Sequence, residues 1–144
     1  LEETIVITHS NRQALDYNFQ MRRFRYKNND QKVRKEDRLL ITKNNYNGEI
    51  ELFNGMFAKV LEVGGISYTT KPRFKIKGGE TIERELDFRD VLVEVVDAEW
   101  NPRRLRATLL DRFLTAEEGR LHPYDQKALY VDFKERRREK GIKP

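Results

Sequence analysis

Hydrophobic and polar positions follow two different periods along this chain, and the places where the period changes divide it into three. Thr4-Ile5-Val6-Ile7-Thr8 is a β-branched run that predicts a strand. Ser10 with Gln13 three residues on has the spacing of a capping box. From about Asn11 to Tyr26, residues Ala14, Leu15, Asn18, Met21, Arg22 and Arg25 then keep helical spacing. One face of that helix is partly apolar and ends in the cluster Arg22, Arg23 and Arg25. Strand followed by helix is half of an α/β repeat.

Beyond a polar loop at 27–35 the period shortens to two. Arg38–Lys43, Phe57–Val63, Ile66–Thr70, Arg73–Lys77, Thr81–Phe88 and Val91–Val96 are short, β-rich segments. Asn47-Gly48, Asn54-Gly55, Gly64-Gly65 and Gly78-Gly79 fall between them as turn signals. Strands so short and so closely spaced read as a small barrel or meander, with Glu83 to Phe88 alternating as a strand with one wet face. Pro102 to Phe113 carries both periods: Leu105, Leu109 and Phe113 are helically spaced, whereas Leu105, Ala107 and Leu109 alternate. We read it as a strand pairing back on Val91–Val96 across a hairpin loop at 97–102. Pro123 opens a second helix, with Asp125 near its start, Arg136, Arg137, Arg138 and Lys140 near its end, and Gly141 and Pro144 as stop signals. Leu129, Tyr130 and Phe133 are expected on its buried face.

Charge follows the same division. Residues 1–35 hold eight Lys/Arg against four Asp/Glu, residues 36–99 nine against thirteen, and residues 100–144 twelve against seven. Basic outer segments around an acidic middle suggest a module inserted between flanking pieces; solvated surface charge with a chance asymmetry is the plainer account. The net charge of +5 admits an anionic partner. With 144 residues, 38% of them hydrophobic, the chain can bury one core. It has no cysteine and two separated histidines, so a thiolate site or structural zinc is not expected. No apolar run reaches membrane-spanning length and Leu1-Glu2-Glu3 opens no signal peptide, so the expectation is a cytoplasmic protein without a membrane partner. The start at Leu1, with a strand almost at once, reads as a piece of a longer protein.

The chemistry of turnover is missing from the pattern. No Gly-x-x-x-x-Gly-Lys-Ser/Thr phosphate cradle and no Ser/His/Asp or Gly-x-Ser-x-Gly arrangement occurs, and His9 and His122 have no spacing partner. Binding fares better. Lys43-Asn44-Asn45-Tyr46-Asn47-Gly48 puts a cation, amides and an aromatic ring on one loop, a set that suits phosphates and unstacked bases. The competing account gives Asn and Gly to turn geometry and packs Tyr46 on the barrel. Phe53-Asn54-Gly55 has the same two readings. Arg136 to Arg138 could meet phosphates or simply complement the helix dipole.

In order and spacing these segments resemble the second motor domain of superfamily 1 DNA helicases of the RecD-like group. Ile5-Val6-Ile7-Thr8, Ser10-Asn11 and Tyr17-Asn18-Phe19-Gln20-Met21-Arg22 are similar to its Thr-Asn and Asn-x-x-Ile/Met-Arg segments. Glu36 to Tyr46 and Leu52 to Val60 are similar to its Gly-Asp-Arg-Val-Met-x-x-x-Asn-Asn and Phe-Asn-Gly-Asp-x-Gly-x-Val run. Glu36 stands where the group has Gly, and Met56 and Ala58 where Asp and Gly are common. The resemblance covers residues 4–63 by motif and the remainder by layout. It implies a mainly β chain with flanking helices: a small SH3-like β-barrel, 36–114, inserted in a partial α/β, RecA-like motor domain. The strand and helix of 1–35 and the helical return segment of 115–144 would belong to that domain. It also implies a single-stranded DNA contact through Asn11, Asn18, Lys43, Asn44, Asn45, Tyr46 and Asn54, and a contact of Arg22 with the γ-phosphate of ATP in the intact protein. ATP and Mg²⁺ would serve that whole enzyme, an ATP-dependent helicase or exodeoxyribonuclease helicase subunit of DNA repair and recombination. The fragment would bind neither by itself, its partners being single-stranded DNA and the remaining motor domains. A solvated Arg22 in a basic cluster, and a non-enzymatic barrel adaptor, are the alternatives.

Overall fold

A computed structural model describes residues 5–27, 32–116 and 120–141. The chain is mainly β: a curled, half-barrel antiparallel sheet with two helices. Its first helix, α1 (Asn11–Tyr26), begins where Ser10 Oγ accepts the Gln13 amide at 3.2 Å, while Gln13 Oε1 reaches back to the His9 amide at 3.0 Å. It ends at Lys27, whose φ of 53° is left-handed and whose N–H returns to the Arg23 carbonyl. No residue of α1 is buried.

The sheet runs in the order β1-β2-β5-β6, with β1 (Arg38–Leu40), β2 (Phe57–Thr70), β5 (Leu86–Val96) and β6 (Pro102–Leu110) all antiparallel to their neighbours. A separate hairpin, β3 (Arg73–Lys75) with β4 (Thr81–Glu83), sits between β2 and β5 in sequence. Period-two alternation sends Ala58, Val60, Val91, Val93 and Val95 inward, where they join Val33 and Ile50 in one core. A second core lies at the other end of the β2–β5 ribbon, where Phe74, Leu86 and Ala128 meet beneath α2 (Pro123–Glu139). β6 carries the ambiguous segment as a strand from Pro102 to Leu110, paired with β5 from Val96 back to Phe88. A single 3₁₀ turn, Asp111–Thr115, follows it.

Four expectations are corrected. Ile5–Thr8 forms no strand, and Ile5 and Ile7 are almost fully exposed; a β-branched run needs a neighbouring strand to pair with, and the described chain offers it none. Thr4 lies outside the described residues. Gly64-Gly65 is not a turn: Phe57–Val63 and Ile66–Thr70 are one continuous β2, and the glycines sit at a register shift against β5. A Cβ on Gly64 would lie 3.0 Å from the Asp90 carbonyl oxygen, so the missing side chain admits close strand approach rather than reversal. The expected strand Thr81–Phe88 breaks at Arg84-Glu85, and Leu86 onward runs without interruption into Val96. On α2, Tyr130 and Phe133 face solvent; the buried residues are Asp125, Ala128 and Asp132. The helix is turned that way because both carboxylates meet cations or hydroxyls beneath it, Arg84 and Arg112 for Asp125 and Tyr68 and Thr70 for Asp132, which also pairs with Arg136 one turn along the helix.

Candidate functional site

The segment linking β1 to β2, residues 41–56, is an ordered loop closed at its base. Ile41 and Met56 are joined by an N–H to O bond of 2.8 Å, and the Gly55 amide donates to the Ile41 carbonyl at 2.8 Å. Gly55 has φ 95°, a conformation open to glycine at no steric cost. Higher up, Asn45 and Leu52 form a two-way antiparallel bridge and Ile50 tucks into the core. Asn44 ties the two arms together: its Oδ1 accepts the Asn54 amide at 2.7 Å and its Nδ2 donates to Tyr46 Oη at 2.7 Å. Asn45 Oδ1 accepts the Asn47 amide at 3.0 Å.

The loop therefore separates scaffold from display. Asn44 and Asn45 spend their amides on loop geometry, and Asn54 contributes its backbone N–H. Tyr46 stands 58% exposed, propped edge-on by Phe53 at 5.9 Å between ring centroids. Lys43 is exposed and has no ion pair among the described residues. Leu40 and Phe57, register partners at the foot of the loop, are exposed on the outer face of the sheet. Trp100, 86% exposed, caps the β5–β6 turn at the same end. Phe57 and Trp100 were not among the residues singled out from the sequence. The signal for Phe57 was its phase: if Ala58 and Val60 point inward, Phe57 and Lys59 must point out.

Arg22 and Asn18 line a cleft of about 330 Å³ between α1 and the strand edge, together with Tyr26, Asp37 and Leu39. Arg22 is engaged there. Its Nη1 pairs with Asp37 Oδ1 and its Nη2 donates to the Lys32 carbonyl oxygen. Asp37 also accepts from Tyr26 Oη at 3.2 Å and from the Arg34 amide at 2.7 Å. Tyr26 has Arg22, Arg25 and Arg34 about its ring, at 5.2, 5.5 and 4.8 Å from the centroid. Burial first, then the charge and hydrogen bond of Asp37, push the Tyr26 phenol above its ordinary pKa. Asn11 is exposed at the first position of α1 and is not part of this cleft.

Glu36, where the resemblance has glycine, has φ 74°. Its amide donates to the Val60 carbonyl oxygen at 2.8 Å and its carboxylate pairs with Lys59 at 2.8 Å, which draws its pKa down through that hydrogen bond. No group of three metal-ligating side chains occurs among the described residues, and no helix among them is long and apolar enough to cross a membrane. The sequence carries no phosphate-cradling loop, and two of the Arg22 donors are engaged within the chain.

Set against family models, curated proteins and solved structures, the chain matches none.

Proposed function

We propose that this chain is the strand-guiding part of an ATP-dependent DNA helicase of the RecD-like superfamily 1 group, an SH3-like barrel between two pieces of the second, RecA-like motor domain. The observation that carries the reading is the 41–56 loop, in which an asparagine scaffold holds Tyr46 out from a curled β sheet, with the exposed cation Lys43, which has no ion pair among the described residues, on the same loop. A ring held in that way can stack a base while the lysine meets a neighbouring phosphate. The left-handed backbone at Glu36 supports the same reading, since it explains physically why related sequences would carry glycine there. In this proposal ATP and Mg²⁺ belong to the intact motor, whose phosphate cradle lies outside this chain, and the fragment turns over no ATP.

A second reading has an observation of its own. Arg22 serves as an internal strut between α1 and Asp37, which suits a non-enzymatic, barrel-containing nucleic-acid adaptor as well as a motor part. Fluorescence anisotropy with a labelled single-stranded oligonucleotide, measured against salt, tests the binding. Affinity should fall with salt by the slope of a few released counterions, and Tyr46→Ala should weaken it by about 1 to 3 kcal/mol. A Tyr46→Ala variant that binds unchanged but melts earlier would return the ring to the barrel. ATPase assay of the full reading frame separates motor from adaptor.

A further inference from the structure

The outward face of α2 is a surface of a different kind from the 41–56 loop. Tyr130, Phe133, Lys134 and Arg137 recur at the three- and four-residue spacing that puts them in one stripe, opposite the buried Asp125, Ala128 and Asp132. Both rings are more than half exposed, at 58% and 51%. Each carries a cation over it: Lys134 Nζ lies 4.8 Å from the Tyr130 centroid, and the Arg137 guanidinium 5.4 Å from that of Phe133. The stripe is continued by Lys127, which lies 5.1 Å from the Phe74 ring and donates to the Lys75 carbonyl oxygen. At 100° per residue, Glu135 and Glu139 fall on the flank nearer the buried side, so the stripe itself holds cations and aromatic rings without a carboxylate of the helix.

We infer that this face of α2 is a second contact surface for single-stranded nucleic acid, independent of the 41–56 loop. The complement of such a stripe is a chain that alternates negative charge with flat, stackable groups. A surface cation–π contact is weak enough to exchange: a base takes the ring face while the displaced ammonium or guanidinium turns to the adjacent phosphate. The two buried carboxylates keep their own partners, Asp132 with Tyr68 and Thr70 underneath and Arg136 one turn along the helix, Asp125 with Arg84 and Arg112, so they do not cancel the outward charge. The inference shares with the proposed function only the class of ligand.

The test is anisotropy with a labelled oligothymidylate, comparing wild type, Tyr130→Ala/Phe133→Ala, Lys134→Ala/Arg137→Ala and Tyr46→Ala, with heparin and a duplex of equal length as competitors. Tyr130, Phe133 and Lys134 are exposed and Arg137 is half-buried, so melting by circular dichroism should be unchanged for the ring pair, and Lys134→Ala alone is the control for any loss of stability in the cation pair. The ring pair should cost about tenfold or more in affinity, and the cation pair should flatten the salt dependence by one to two counterions. If the α2 variants bind as wild type while Tyr46→Ala is weakened, the inference falls and the loop reading stands; weakening by the α2 variants alone upholds the inference and moves the site off the loop. Loss with the cation pair but none with the ring pair, matched by equal competition from heparin, would make α2 a bare polyanion or acidic-protein surface and overturn the stacking. Self-association lost with the ring pair would show that a second copy covers the face.

Discussion

Asp132→Ala is the substitution that tests most directly why α2 lies where it does. The carboxylate is 2% exposed and holds the helix to β2 through Oδ1, which accepts from Tyr68 Oη and Thr70 Oγ1, each at 2.7 Å. Arg136 Nη2 sits 2.6 Å from Oδ2, without the alignment of a hydrogen bond, so that oxygen is satisfied by charge alone. Hydrogen bonds to a charged group contribute about 1.5 to 3 kcal/mol each, and Thr70 and Tyr68 are both half-buried. The Arg136 side chain is 47% exposed, so its pairing adds well under 1 kcal/mol. Alanine should therefore cost about 3 to 5 kcal/mol, concentrated on the α2 end of the molecule, where Ala128 packs against Phe74 and Leu86. Hydrogen exchange resolved by residue, alongside urea unfolding, would read it: α2 and the β3–β4 hairpin should lose protection first, while the Val60 and Val93 core keeps most of its own. Asp132→Asn, which retains one acceptor oxygen, should cost less than half as much. A change below about 0.5 kcal/mol with α2 protection intact would mean that Ala128 and its apolar neighbours seat the helix and that the buried carboxylate is incidental.

Three further outcomes follow from the geometry. In the intact enzyme of the proposed function, Arg22→Lys should lower kcat for ATP hydrolysis by about 10²-fold, and Arg23→Lys far less; in the isolated chain Arg22→Ala should destabilise the α1 attachment by about 1.5 to 3 kcal/mol, since Asp37 loses a charged partner. Equal, small effects of Arg22→Lys and Arg23→Lys on kcat would make the cluster ordinary surface. Tyr26 and Tyr68 both hold their protons more tightly when folded. At Tyr26 burial leads; at Tyr68 the Thr70 hydroxyl pulls the other way but is outweighed by burial and the Asp132 hydrogen bond. Their contribution to stability is therefore complete below the ordinary phenol pKa of about 10 and is lost as pH rises through the raised folded values, which urea midpoints taken on either side of that pH would show and Tyr68→Phe should blunt. Gly64→Ala should cost roughly 1 to 2 kcal/mol because the new Cβ meets the Asp90 carbonyl, whereas Gly65→Ala, with nothing within 4 Å, should be neutral by thermal melting; equal effects would dismiss the close approach.

What could be read from the chain alone was local. Ser10 and Gln13 start α1, Pro123 opens α2, and Gly55 and the Gly78-Gly79 pair sit at positive φ in turns, because each depends on atoms within a few residues. Alternation along Val91–Val96 likewise identifies the inward valines and pairs the Pro102 segment back as β6. Tertiary structure decided the remainder. Gly64-Gly65 has the composition of a turn, and only the approach of Asp90 from β5 makes it a bulge inside a strand of 14 residues. The rotation of α2 opposed its apolar pattern, since Tyr130 and Phe133 would have been buried had Asp125 and Asp132 not found Arg84, Arg112, Tyr68 and Thr70 beneath the helix. Ile5–Thr8 has the residues of a strand and lacks the neighbour that would make it one. Within the candidate site the loop residues were legible as a set, but which of them scaffold and which are displayed was not: Asn44 is committed by the amide of Asn54, ten residues away. Side-chain chemistry states what a residue can bond to; the fold supplies the partner, and with it the choice between holding the structure together and facing a ligand.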